Sequence, residues 1–399
     1  MSKKTLSVLL VIGAALAEAA ALPPVGPGTL DATGEGSASA REGAGGRSIS
    51  SEKGLRLDSV RLPPGFRVGV FARAEGARSL ALGAKGTVFV GTRGEGKVYA
   101  LVDSDRDGHA DRLTVIADGL HSPNGVAFRD GALYVAEISR VVRLDGIEDR
   151  LDDPPVPTVV SDRFPPDEHH GWKFIAFGPD GLLYVPIGAP CNVCDAGDPY
   201  ASITRLNVET GALEIFARGV RNTVGFDWDP GSKDLWFTDN GRDWLGDDVP
   251  PDELDRAPGP GMNFGFPFCY GAGIDDPAFP GRDCGAFTPP VVELGAHVAA
   301  LGMRFGAGEM FPAAYRHSIF IAEHGSWNRT APVGYRIVRV PVDGETAGEP
   351  EVFADGWLLD GKPWGRPVDV QFLGDGSMLV SDDMSGAVYR IAYAPTAGR

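Results

Sequence analysis

Two adjacent histidines, His169 and His170, stand just before a strand-turn-strand pattern that runs from Phe174 to Val185 around Gly178-Pro179-Asp180-Gly181. A neutral imidazole accepts a proton near physiological pH, so a histidine presented by a rigid hairpin can serve as a general base. Arg221 and Asn222 lie at nearly the same place ahead of a later copy of that pattern, beginning at Val224. Their side chains donate hydrogen bonds able to polarise a carbonyl or hold a carboxylate. Arg366 repeats the placement ahead of Val368. Singly, each has an ordinary reading as a surface histidine or a salt bridge at the start of a strand. Three polar groups at equivalent positions of three like units are instead expected to converge on one site.

Two acidic stretches could hold a cation. Asp103, Asp105, Asp107 and Asp111, with Gly108 for the turn, place oxygen donors on alternate residues as Ca²⁺ loops do. The full EF-hand pattern fails, because Thr114 occupies the twelfth position and no helical pattern flanks the loop. The second stretch runs from Asp239 through Gly241, Arg242 and Asp243 to Asp252 and Glu253, close in sequence to Arg221. Both also read as solvated acidic turns.

The elements that must position these groups are strands. Triplets of short apolar or alternating runs recur six times, about 45 to 85 residues apart, a spacing that marks repeat architectures. The first triplet is Ser79–Leu82, Gly86–Val90 and Lys97–Leu101; the last is Val368–Phe372, Met378–Val380 and Val388–Ile391. In the fourth, Glu253-Leu254-Asp255 reads as the least strand-like member. Helical periodicity is nearly absent, so the expected fold is an all-β, six-bladed β-propeller rather than a pair of β-sandwiches. The sixth copy ends without a fourth strand, which Phe66–Phe71 would supply, closing the ring. Long segments after Val185 and Thr238, and between Phe264 and Ala300, are the expected binding loops.

Lys3 and Lys4, an apolar run from Leu6 to Ala17 and small residues to Ala21 read as an export signal over residues 1–22. That run is shorter than the roughly 20 residues a spanning helix needs. No other stretch is apolar enough to span, so no membrane insertion is expected once the signal is removed. Residues 23–54 are rich in Gly, Ala, Ser and Pro and are expected to be a disordered linker, leaving 55–394 for the propeller. The net charge of −17 argues against a nucleic-acid partner. Four cysteines in an exported chain imply two disulfides with three possible connectivities, of which Cys191–Cys194 with Cys269–Cys284 is the simplest.

Taken together, His170-Gly171-Trp172-Lys173-Phe174-Ile175, Phe177-Gly178-Pro179-Asp180-Gly181, Arg221-Asn222, Asp252-Glu253-Leu254 and Gly365-Arg366 resemble the glucose/sorbosone dehydrogenase family. Gly188-Ala189-Pro190-Cys191-Asn192-Val193-Cys194 and Glu323-His324-Gly325-Ser326-Trp327-Asn328-Arg329 are similar to its sorbosone-dehydrogenase-like branch, and the resemblance runs from about Leu62 to Tyr393. It implies an exported six-bladed propeller that uses pyrroloquinoline quinone (PQQ) and Ca²⁺. It places the catalytic base on His170, with His169 beside it, and sets Arg221 and Asn222 against the quinone carbonyls. Backbone carbonyls of Gly241 and Arg242 would bind the cofactor's Ca²⁺. Arg366 matches the first of two cofactor-gripping arginines, while Val368 stands at the second. The family's cofactor lysine has no match; Arg329 or His324 is expected in its place.

The expected reaction is hydride transfer from a sugar or sugar-derived aldehyde, with an unidentified electron acceptor completing the cycle. His170 would take the hydroxyl proton of a sugar's anomeric OH or of an aldehyde hydrate, and Arg221 would stabilise developing negative charge. Two other readings suit the same scaffold. One is a Ca²⁺-dependent lactonase-type hydrolase; the other is a propeller that binds a glycan or protein without catalysis.

Overall fold

The computed structural model describes residues 54–395. The expected export signal, and all but the last residue of the expected linker, lie outside the described residues. Among the described residues no helix is long and apolar enough to cross a membrane.

Six sheets of antiparallel strands form the six blades of a β-propeller. Blade 1 runs Leu80–Leu82, Val88–Gly91, Val98–Val102, Arg112–Ala117, blade 2 from Gly125–Arg129 to Thr158–Ser161, blade 3 from Ala176–Phe177 to Leu213–Arg218, and blade 5 from Ala300–Phe305 to Glu351–Ala354. The second strand of each blade is a near-continuous apolar run, for example Val-Phe-Val-Gly in blade 1 and Ala-Leu-Tyr-Val-Ala in blade 2. Such strands bury both faces because neighbouring blades pack on either side. Blade 6 consists of Pro367–Phe372, Met378–Asp382 and Ala387–Tyr393, and Phe66–Arg73 supplies its fourth strand. That pairing runs antiparallel from Phe66 opposite Tyr393 to Arg73 opposite Ala387. Phe66 is fixed by edge-on contacts to Phe311, Phe353 and Tyr393, with ring centroids 4.8 to 5.1 Å away.

Blade 4 departs most from the sequence reading. Pro251–Ala257, which contains Glu253-Leu254-Asp255, is a full strand between Leu235–Asp239 and Val292–Ala296. Its acidic composition hides it from a propensity argument, yet Asp252, Glu253 and Asp255 are all buried. The chain leaves this blade between Ala257 and Val292. There it adds Met262–Asn263 to the edge of blade 3 and builds a small hairpin tied by the Cys269–Cys284 disulfide. Cys191 and Cys194 form the second disulfide.

Candidate active site

Polar residues stand from one to six positions ahead of the first strand in five of the blades. They are Arg78 in blade 1, Asn124 in blade 2, and His170, Arg221 with Asn222, and Arg366 in blades 3, 4 and 6. Apart from Asn124, these side chains line a single cavity of about 290 Å³ together with Arg93, Trp172 and His324. Leu301 and Trp172 form an apolar wall of the cavity, packed against Val224 and Val368.

His170 is buried, and its Nδ1 lies 2.9 Å from the Ala189 carbonyl oxygen. A carbonyl only accepts, so Nδ1 carries the proton and Nε2 keeps its lone pair. Burial, followed by the charge of Arg221 and the neighbouring His169, pushes its pKa down to about 2. The ring is therefore neutral throughout the physiological range. Its backbone sits at φ +52°, a left-handed conformation unusual for a side chain of this size. Gly188 makes room for it: a Cβ there would lie 2.5 Å from the Cβ of His170.

Arg221 is held on every side. Its guanidinium donates to the Asn192 carbonyl and side chain, both at 2.9 Å, and to the Asn240 carbonyl at 3.1 Å; Asp243 is 3.4 Å away. Asn192 lies inside the Cys191–Cys194 loop, so the short disulfide ring positions Arg221. Beneath it, the buried Asp239 carboxylate accepts the backbone N–H groups of Arg221 and Asn222 at 2.7 and 2.6 Å. Burial pushes the Asp239 carboxyl up to about 7.

Across the cavity, His324 Nε2 is 2.9 Å from Asp383, whose other oxygen pairs with Arg78 at 2.5 Å; Arg78 also donates to Asn124. Burial lowers the His324 pKa to about 4. Burial works against charge on Asp383, but the His324 hydrogen bond and the charges of His324, Arg78 and Arg366 outweigh it and hold the carboxyl below the ordinary range. Arg366 donates only to the His324 and Gly325 carbonyls, at 3.3 Å. Arg93, exposed at the mouth, stacks 3.7 Å over the Trp172 ring. Neither forms an ion pair with a carboxylate of the described residues. The Trp172 indole N–H is buried without a partner.

Gly241 and Asp252 also line the cavity. Asp252 accepts the N–H of Gly241 at 2.9 Å and that of Ala300 at 3.1 Å, which fixes the turn carrying Gly241. The Arg242 side chain turns away to the buried Asp276 at 2.9 Å, leaving only its backbone near the site.

Other expected residues are not brought in. His169 is exposed beside His170, with ring centroids 4.1 Å apart, and does not line the cavity. Arg329 lies outside as well, because the Asp247 carbonyl at 2.5 Å and the Asp248 carboxylate at 3.0 Å take its guanidinium. The Asp103 loop lies elsewhere, against the closing strand: His109 Nδ1 meets the Val70 carbonyl at 2.6 Å, and the Ala110 N–H donates to Phe71. Oxygens of Asp103, Asp105 and Asp111 lie within 4.8 Å of one another. Arg78, Arg93 and Asp383 were absent from the sequence reading, and Asn192 stood there only inside the segment quoted for the family resemblance. Arg78 was discoverable, since it precedes its blade's first strand just as His170 and Arg366 do.

The family model for glucose/sorbosone dehydrogenases matches residues 135–326, and a TrAA12-like model matches residues 278–394. The chain belongs to the glucose/sorbosone dehydrogenase family. An uncharacterized protein of Borreliella burgdorferi is 33% identical over 353 residues, covering 84% of this chain and 91% of that protein. The PQQ-dependent pyranose dehydrogenase of Coprinopsis cinerea is 31% identical over 166 residues, 32% of this chain and 22% of the fungal protein. The holo PQQ domain of a Coprinopsis cinerea pyranose dehydrogenase superimposes with a TM-score of 0.70 at 18% identity, covering 84% of this chain and 97% of that one. A calcium structure of Trichoderma reesei carbohydrate-active enzyme family AA12 gives 0.74 at 20% identity, covering 86% and 100%. At 18 to 20% identity these structural likenesses show a shared fold.

Proposed function

We propose that the protein oxidises a sugar or sugar-derived aldehyde with PQQ and Ca²⁺, using His170 as the base. The observation that carries this reading is the charge of the cavity. Four arginines face one small space; Arg78 and Arg221 have acidic neighbours, whereas Arg93 and Arg366 form no ion pair among the described residues. A planar polycarboxylate suits such a lining, and the unpartnered Trp172 N–H offers it one more donor. Arg221, Asn222 and Arg366 would hold the cofactor, with His324 in the place of the missing lysine. Arg329 is withdrawn from that role by its acidic partners. Carbonyls of Gly241 and Arg242, on the turn fixed by Asp252, would bind Ca²⁺. Bound there, PQQ would supply the acceptor for a hydride, that is, for both electrons of the oxidation.

The chain's own part is proton handling and charge. His170 Nε2 receives the substrate hydroxyl proton, and the Ala189 carbonyl holds the ring in the tautomer that allows this. Arg221, braced by Asn192, presents its charge without reorganising. We assign the Asp103 loop to a separate structural Ca²⁺ that would staple blade 1 to the closing strand. Both disulfides suit the export expected from residues 1–22.

The test is reconstitution of the purified chain with PQQ and Ca²⁺, followed by reduction of an artificial electron-accepting dye in the presence of aldoses and sugar-derived aldehydes. PQQ uptake at one per chain with sugar-dependent dye reduction is the expected result. No uptake, or uptake without dye reduction by any sugar, would refute the proposal.

A further inference from the structure

Two tryptophans at the rim of the cavity are left in water. Trp244 and Trp327 are each 67% exposed, and their rings meet edge to face at 5.3 Å and 86°. Trp327 lines the cavity together with Asn328 and Asp243, and Trp244 directly follows Asp243. Large aromatic side chains normally go to the core, so a pair held apart from it calls for a physical reason.

The loops carrying them are braced against each other. Asn328 Nδ2 donates to Asp243 at 2.6 Å, Arg329 reaches the Asp247 carbonyl and the Asp248 carboxylate, and the Thr330 N–H meets Asp247 at 3.2 Å. His297 adds a contact of 2.7 Å to the Gly246 carbonyl. Leu245 is tucked into a small apolar cluster with Phe266 and Tyr270, while Trp244 beside it takes φ +71° and turns outward. A bulky residue adopts that backbone only where its surroundings impose it. The loops that carry the indoles are thus fixed, and the edge-to-face contact covers only one face of one ring.

We propose that Trp244 and Trp327 form a stacking platform for a saccharide ring, and that the substrate therefore carries at least one sugar ring beyond the one oxidised. This rests on reading the cavity as a sugar-oxidising site, with which the platform is continuous through Trp327. The C–H face of a pyranose ring matches a flat indole, and Asn328, Asp243 and Asp248 beside it suit hydroxyl groups. A protein partner fits less well. The apolar surface is limited to two indoles set among Asn328, Arg329, Thr330, Asp247 and Asp248, far smaller than a stable interface requires.

The experiment is calorimetric titration of the full chain, without PQQ, with glucose and with cellotetraose, maltotetraose, xylotetraose and chitotetraose. At least one tetrasaccharide is expected to bind about tenfold or more tighter than glucose. Trp244→Ala and Trp327→Ala should each remove most of that preference, and Trp→Phe at either position should restore part of it. Unchanged melting temperatures guard against misfolding. Equal affinity for glucose and every tetrasaccharide, or a preference that survives in the double Ala variant, would overturn the platform. In the PQQ-loaded enzyme, the ratio of kcat/KM for that tetrasaccharide to kcat/KM for glucose should fall about tenfold in Trp244→Ala. Tetrasaccharide binding without any dye reduction would leave the platform standing and sink the dehydrogenase reading. Dye reduction with no tetrasaccharide preference would do the reverse.

Discussion

His170 and His324 face the same cavity from blades 3 and 5, yet their settings differ in one decisive partner. His170 leans on a carbonyl, and His324 leans on a carboxylate that is itself held by Arg78. The carbonyl fixes a tautomer without adding charge, so burial and nearby arginine dominate and the ring stays neutral down to about pH 2. The carboxylate gives back part of what burial removes, which leaves His324 near 4. One surrounding suits a base that begins every cycle unprotonated; the other suits a fixed hydrogen-bonding group. Blade 3 also has Gly188 directly after its second strand, where blades 4, 5 and 6 have Asn240, His324 and Asp383. The space needed by His170 comes from that absent side chain.

The comparison breaks most sharply at His170. His170→Ala should lower kcat about a thousandfold in reconstituted enzyme, whereas His324→Ala should act mainly on the affinity for PQQ. Equal losses of kcat in dye-reduction assays would erase the distinction. Gly188→Ala comes next: by crowding His170 it should cost roughly 10- to 100-fold in kcat, with no matching change at His324. Asn192→Ala frees the Arg221 guanidinium and should cost about tenfold in kcat/KM, measured with sugar as the varied substrate.

The pH dependence sharpens the contrast further. The unfolded chain protonates each histidine near 6.5, while the folded rings resist protonation until about 2 and about 4. The stability they confer is intact above pH 6.5 and drains as pH falls, for His324 mostly between 6.5 and 4. Thermal melts of His324→Gln should therefore decline less steeply over that window. As His170 is already neutral, kcat/KM should show no protonation step near 6.5 that His170→Asn removes.

The smallest effect on activity is expected at the disulfides. Breaking Cys269–Cys284, which closes a loop of 15 residues, should cost about 3 kcal/mol in denaturant melts and leave PQQ uptake intact. Breaking Cys191–Cys194, only three residues apart, should cost little stability and yet loosen Asn192 and Arg221.

Much of this was legible in the chain itself. Apolar runs such as Leu183–Ile187 and Met378–Asp382 announce strands buried on both faces, and the unpaired sixth repeat called for Phe66–Phe71. Three of the hub residues followed from their common place ahead of a first strand. Pro251–Ala257 was harder to see, because the buried carboxylates of Asp252 and Glu253 are kept by long-range partners, the N–H groups of Ala300 and Gly271. Arg329 was misplaced for the converse reason: its neighbours in sequence do not reveal Asp247 and Asp248, about 80 residues earlier.

The sequence by itself determined the number of blades, the strand that closes the ring and the kinds of group available to the hub. These depend on local alternation and on a repeat that any stretch of the chain displays. Tertiary structure alone decided which groups meet. Arg78 and Asp383 are 305 residues apart and become partners only when the first and last blades join. The cavity's charge, the neutral His170 and the exposed tryptophan pair all follow from that closure, since burial and electrostatic fields belong to the assembled ring.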